Sequence, residues 1–279
     1  MSAPTSTASP AGSSVAFSVA SAVSRKGDSE YAAALDPGWA VGDRPHGGYL
    51  LAVVARAALD AAASVAGDLA PDPLVVSAQF LRPPACAPAM VRTSVLRTGR
   101  TVTVVDAVLE QDGASCVEAV ITCGVLPGGS ASWSDVPQLP ASPPDDALDI
   151  GAHPRNVFKL ANACRLRLDA ATAGFATGRT DLPPLLRLWV QPDGEPPDPL
   201  FALVAGDISP PVVFNIGHRG WSPTVQLTAL LRARPSPGWL RVQAEARAVH
   251  GSWFDEDHTV VDSAGRLVCQ ARQLAMTPR

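Results

Sequence analysis

The sequence lacks the marks of several large functional classes. It has no excess of basic residues: 22 Lys and Arg stand against 26 Asp and Glu, a formal net charge of -4. A surface that tracks phosphates needs clustered lysine and arginine. The few local arginine groupings, such as Arg165 with Arg167 or Arg232 with Arg234, follow from alternation along a strand. Nucleic acid is therefore not an expected partner. No Gly-x-Ser-x-Gly elbow is present, which argues against a serine nucleophile, and no Walker or dinucleotide-binding glycine pattern occurs. The cysteines are few and odd in number (Cys86, Cys116, Cys123, Cys164, Cys269), and each lies in an apolar, strand-like context. They read as reduced core residues of a cytoplasmic protein, not as a disulfide framework. No Cys or His pair has structural-zinc spacing. His250, Asp255, Glu256, Asp257 and His258 are close in sequence, but a strand alternates their faces, so neither a metal nor another cofactor is expected.

Residues 1–14 have neither a basic n-region nor an apolar h-region, and their Ala, Ser, Thr, Pro and Gly predict a flexible tail. The longest apolar stretch, residues 49–66, is interrupted by Arg56, Asp60 and Ser64 at i, i+4 and i+8. Those three share one stripe of a helix, so the stretch is predicted to be a buried helix with one wetter edge and not a membrane span.

What the chain does contain is one pattern written twice. Pro83, Gly99 and Gly113 are spaced by 16 and 14 residues, and Pro235, Gly251 and Gly265 repeat those spacings at an offset of 152. Apolar runs flank the marks in matched order: a run ending at each proline, a second before the first glycine, and a third after the polar turn around the second glycine. The shared unit is predicted to be a three-strand antiparallel meander. A helix start precedes each copy. Asp43-Arg44-Pro45-His46-Gly47-Gly48 opens the first, and Gly206-Asp207-Ile208-Ser209-Pro210-Pro211 opens a shorter one through about Phe214, with Ser209 as cap and Pro210 at the first helical position. With 47% hydrophobic residues each half can bury a core. The expected division is 1–14 tail, 15–126 first module, 127–150 linker rich in Pro, Gly, Ser and Asp, and 151–279 second module.

The Gly-Gly helix start, the strand ending Phe80-Leu81-Arg82-Pro83 and the string Leu96-Arg97-Thr98-Gly99-Arg100, repeated in degenerate form, resemble the double-hotdog acyl-CoA thioesterases of the TesB-like family. The resemblance runs from about Val15 to the end. It implies an α+β fold in which two antiparallel sheets each wrap a central helix and join as a pseudo-dimer, hydrolysis of acyl-CoA, and self-association into a homodimer or higher homo-oligomer. Placed residue by residue, it also implies a catalytic group in the second half: Asp207, a hydroxyl best matched by Thr224 with Thr228 as fallback, and Gln273.

The residue types suit that chemistry. A thioester is activated enough for a positioned water to attack without a covalent enzyme intermediate, so a carboxylate base with hydrogen-bonding helpers suffices. Charge developing on the thioester oxygen needs donors, which a helix start at Gly47 and Gly48 supplies, with His46 beside it as a substrate-binding candidate. Each residue also has a plainer reading: Asp207 as a helix-terminus charge, Thr224 and Gln273 as strand residues, His46 as a turn residue, and Gly47-Gly48 as a tight turn. Two rivals stand beside hydrolysis. A hotdog enoyl-CoA hydratase needs an Asp and a His on one water, but the position five after Asp207 is Val212. A non-catalytic acyl-CoA or acyl-carrier binding protein would keep the fold without the chemistry. The first-half counterpart of Gln273 at the 152 offset is Ile121, so one site per chain is expected.

Overall fold

The wet stripe of Arg56, Asp60 and Ser64 lies where its spacing puts it, on the less buried edge of a 20-residue helix, Gly47–Ala66 (α1). The structure, a computed structural model, describes residues 15–66, 71–151 and 157–278; the expected tail of 1–14 lies outside the described residues. By length and composition α1 passes for a membrane span, but it is the core helix: Ala52, Ala55, Ala58 and Ala62 have no exposed surface. Their small side chains let a sheet curve closely around it.

The main strands of the first half are Glu30–Ala34 (β1), Asp72–Phe80 (β2), Pro88–Thr98 (β3), Val102–Gln111 (β4) and Ala114–Gly124 (β5), with the short strand Val23–Arg25 pairing β1 at the sheet edge. The second contributes Cys164–Leu168 (β6), Leu185–Pro192 (β7), a short helix Pro199–Ala205 (α2), then Thr224–Leu231 (β8), Leu240–Glu245 (β9), Trp253–Val261 (β10) and Leu267–Met276 (β11). One continuous antiparallel sheet runs β1-β3-β4-β5-β2-β8-β11-β10-β9-β7-β6. Its order reads the same from either side of the β2–β8 seam, β2 matching β8, β5 matching β11, β4 matching β10 and β3 matching β9. Each half holds a three-strand meander, β3-β4-β5 and β9-β10-β11, but its membership differs from the expected one: the strand between the two glycines, β4 or β10, is its centre, and the strand ending at each proline, β2 or β8, instead pairs with β5 or β11 and across the seam. The two hotdogs form the expected pseudo-dimer.

The match extends to a defect. β2 shifts register against β5 between Pro73 and Val75, and β8 shifts against β11 between Thr224 and Gln226. Each is a bulge that turns the start of its strand to the opposite face. The proline-rich stretch after β5 packs on the second half: the Trp189 indole donates to the Pro140 carbonyl at 2.8 Å, and Leu148–Asp149 pairs with β6. Of the five free cysteines, four are buried as predicted, whereas Cys86 is only half-buried in the β2–β3 loop.

The second helix departs from the sequence reading. It begins at Pro199, not near Pro210, with the Asp198 carboxylate accepting from Phe201 N–H at 2.7 Å. That cap followed by proline at the first helical position is the stronger start signal, and the buried apolar run 199–205 completes it. Asp207 therefore follows the end of a helix. Pro210 and Pro211 stop the chain from continuing, and after the break it resumes as a 3-10 turn, Val212–Ile216.

Candidate active site

The break after α2 is pressed into the core from two sides. A Cβ on Gly206 would lie 3.1 Å from Cys269 Sγ and 3.2 Å from Ala271 Cβ, so the helix end rests on β11. A Cβ on Gly48 would lie 2.8 Å from Val204 Cα and 2.9 Å from the Leu203 carbonyl, so the start of α1 rests on the last turn of α2. Only glycine permits that approach.

Asp207 is 8% exposed, and its Oδ2 accepts the Gly48 N–H at 2.7 Å. His46 Nε2 lies 2.9 Å from the Asp207 main-chain oxygen and 3.6 Å from Oδ2. A carbonyl oxygen only accepts, so Nε2 carries the hydrogen. Burial pushes the Asp207 carboxyl above the ordinary carboxylate range, opposed by the nearby imidazoles of His46 and His258 and by the Gly48 N–H. Burial pushes His46 down, which keeps it neutral near pH 7.

Thr224 and Gln273 meet directly, the Thr224 hydroxyl donating to Gln273 Oε1. The bulge makes this pair. Without it Thr224 would share a face with Gln226 and Thr228; with it Thr224 turns to the inner face, where Gln273 is buried. The fallback hydroxyl is elsewhere: Thr228 Oγ1 lies 2.9 Å from Ser77 Oγ at the seam and accepts from Gln226 Nε2 at 2.8 Å. Among the described residues no hydrogen bond joins Asp207 to Thr224 or Gln273. They share one end of the molecule: Gly206 touches Ala271, one inward position from Gln273, and a Cβ on Gly47 would meet both Asp207 Oδ2 at 2.6 Å and the Phe80 ring at 3.3 Å. Phe80 ends β2, whose Gln79 pairs with Gln226 beside the bulge.

The sequence reading placed two donors at Gly47 and Gly48 for a substrate oxygen. The structure commits the Gly48 N–H to Asp207 instead. A second cluster went unread: the Ser209 hydroxyl donates to Glu256 Oε1, and His258 Nε2 lies 3.2 Å from Ser209 Oγ and 3.3 Å from Glu256 Oε1. The signal was legible in part, because alternation along β10 sets Phe254, Glu256, His258 and Val260 on one face, and the fold turns all four to the core.

Family models match both halves. The acyl-CoA thioesterase N-terminal domain matches residues 35–124, and the acyl-CoA thioesterase C-terminal domain matches residues 134–277. An uncharacterized protein of Mycobacterium tuberculosis strain H37Rv is 40% identical over 264 residues, covering 88% of this chain and 89% of that one. Among solved structures, a candidate thioesterase II from Thermobifida fusca YX superposes with a TM-score of 0.81 at 34% identity, over 94% of this chain and 97% of that one. The acyl-CoA thioesterase II from Mycobacterium marinum shares the fold with a TM-score of 0.69 at 15% identity, over 94% and 98% of the two chains. With both halves matched in order and the two hotdogs closed around their helices, this chain belongs to the acyl-CoA thioesterase family and is a thioesterase.

Proposed function

We propose that the chain hydrolyses acyl-CoA by direct attack of water, with Asp207 as general base and Thr224 and Gln273 as its positioning partners. The observation that carries this is the buried Asp207 carboxylate, anchored on a helix start and set beside the end of the sheet where Thr224 meets Gln273. With Gln273 Oε1 taken by the Thr224 hydroxyl, the amide N–H groups remain as donors to the oxygen of a water. Asp207 takes the water proton as the oxygen bonds to the thioester carbon. The tetrahedral adduct then collapses, the carbon–sulfur bond breaks, and the proton passes from Asp207 to the departing thiolate. The Gly47 N–H, at the first helical position and without an intrahelical partner, is the donor for the developing oxyanion. His46 holds the backbone of Asp207 and does not itself carry a proton through the reaction. Free, mostly buried thiols fit a reducing cytoplasm, and a homodimer belongs to the same reading, to be measured by sedimentation.

Purified protein incubated with acyl-CoAs of short, medium and long chain is expected to release free thiol. Consumption of crotonyl-CoA without thiol release would overturn hydrolysis in favour of hydration, for which His46 supplies the imidazole that Val212 does not. Gln273→Ala is expected to lower kcat by about 10²-fold, the usual loss of a pre-placed donor. Thr224→Val, which only frees the amide to turn, should lose about tenfold, one hydrogen bond.

The pH profile follows from burial. The active form of Asp207 is the carboxylate, and burial raises its pKa, so kcat/KM climbs with pH to a plateau whose inflection lies above the ordinary aspartate value of about 3.9. An inflection at or below that value would remove Asp207 as the base.

A further inference from the structure

We propose that Ser209, Glu256 and His258 form a buried positioning unit that holds the broken second helix in shape and thereby aims the Asp207 carboxylate at the start of α1. The proposal rests on Asp207 being the base. Pro210 and Pro211 bring no backbone N–H, so the break between Gly206 and Val212 has few backbone bonds of its own. One carboxylate spans it: Glu256 Oε1 accepts the Ser209 hydroxyl before the proline pair, and Oε2 accepts the Val212 N–H, at 3.4 Å, after it. His258 Nε2 closes the unit against both Ser209 and Glu256. Asp207 stands two residues from Ser209, on the segment so clamped.

The other half of the molecule is an internal control. In the ladders Gln273 pairs with Leu227 and Glu256, and Ile121 pairs with Val76 and Val105. Glu256 and His258 therefore occupy the places of Val105 and Ala107, which are fully buried and apolar. There α1 runs unbroken, with Ala55 at the 152 offset from Asp207. Glu256 and His258 are 1% and 2% exposed, and a buried polar pair of this kind is commonly no more stabilising than an apolar replacement. The same fold solves the same packing problem with valine and alanine. The polar unit and the helix break occur together, in the half that carries Asp207.

The groups facing Asp207 are His46 from the turn before α1, His258 and Glu256 from β10, and the Gly48 N–H. Glu256 raises the Asp207 pKa and His258 lowers it. A positioning unit thus leaves a signature that a merely structural one does not. Ser209→Ala is expected to lower kcat by about 10- to 100-fold, with KM within about twofold and a melting temperature within about 2–4 °C of wild type. Glu256→Gln should do the same and move the acid inflection of kcat/KM down, whereas His258→Gln should move it up. The Gly48 amide resonance, which reports the Asp207 contact without turnover, should lose its hydrogen-bonded shift in Ser209→Ala and Glu256→Gln. Wild-type kcat and an unchanged Gly48 resonance in both variants would overturn the proposal even where Asp207→Asn is inactive. Should Asp207→Asn stay active, the base assignment falls, and the Gly48 resonance alone still decides whether the unit aims the carboxylate. If Glu256→Gln does not fold, Ser209→Ala, which leaves the Glu256–His258 contact intact, carries the test.

Discussion

Asp207→Asn is expected to lower thiol release from acyl-CoA by about 10²- to 10⁴-fold, the range supplied by a positioned base. The substitution keeps the volume and an oxygen for the Gly48 N–H, so the contact between α1 and the end of α2 survives. Its stability effect has a definite sign. The folded pKa of Asp207 lies above its unfolded value, so the carboxyl's contribution is fully present below the unfolded pKa and is lost as pH rises through the folded one. Asparagine cannot ionise and does not suffer that loss. At neutral pH the variant should melt at or above the wild-type temperature while being nearly inactive, measured by thermal melting and thiol release on one preparation. A variant that unfolds instead would show that the carboxylate caps the helix and is not reserved for chemistry.

Gly48→Ala should act in the opposite sense, chiefly on stability. The added Cβ falls 2.8 Å from Val204 Cα and 2.9 Å from the Leu203 carbonyl, which are backbone atoms and cannot turn aside. The two helices must separate, and overpacking of this kind costs about 3 kcal/mol at the upper end of its usual range. For a chain of this size that is a fall of about 6–12 °C in melting temperature. Gly47→Ala, one residue earlier, separates the two roles. Its Cβ meets Asp207 Oδ2 at 2.6 Å and the Phe80 ring at 3.3 Å, side-chain atoms that can shift. It should lose activity far more than stability. Wild-type melting and turnover in Gly48→Ala would mean that α1 and α2 are not apposed as described.

The repeat of prolines and glycines carried the fold, because a turn needs particular residue types at a local position and an apolar run states which face it buries. The strand runs, the Ala-rich core helix and its wet stripe are readable for that reason, whereas the pairing of the proline strands across the seam is not, since it joins the two halves. The chain offers two helix starts by the same local rule, Ser209-Pro210 and, eleven residues earlier, Asp198-Pro199, and only the earlier one is followed by the buried apolar run that makes a helix. Alternation along β10 separates Glu256 and His258 from Asp255 and Asp257, but it does not say that the first pair faces the core or that Ser209, 47 residues before Glu256, meets it there.

Sequence by itself determined the two-module plan, the antiparallel strands and the residue types at Asp207, Thr224 and Gln273, since each follows from local periodicity, turn chemistry or a motif. Tertiary structure alone decided which hydroxyl meets Gln273, which backbone N–H holds Asp207 and which imidazole stands beside it. Those contacts join residues 49 to 161 positions apart, across a bulge, a helix break and a pseudo-twofold seam. A one-residue register shift at Val225 reverses the face of Thr224, and no local pattern encodes a partner on the other half of the chain.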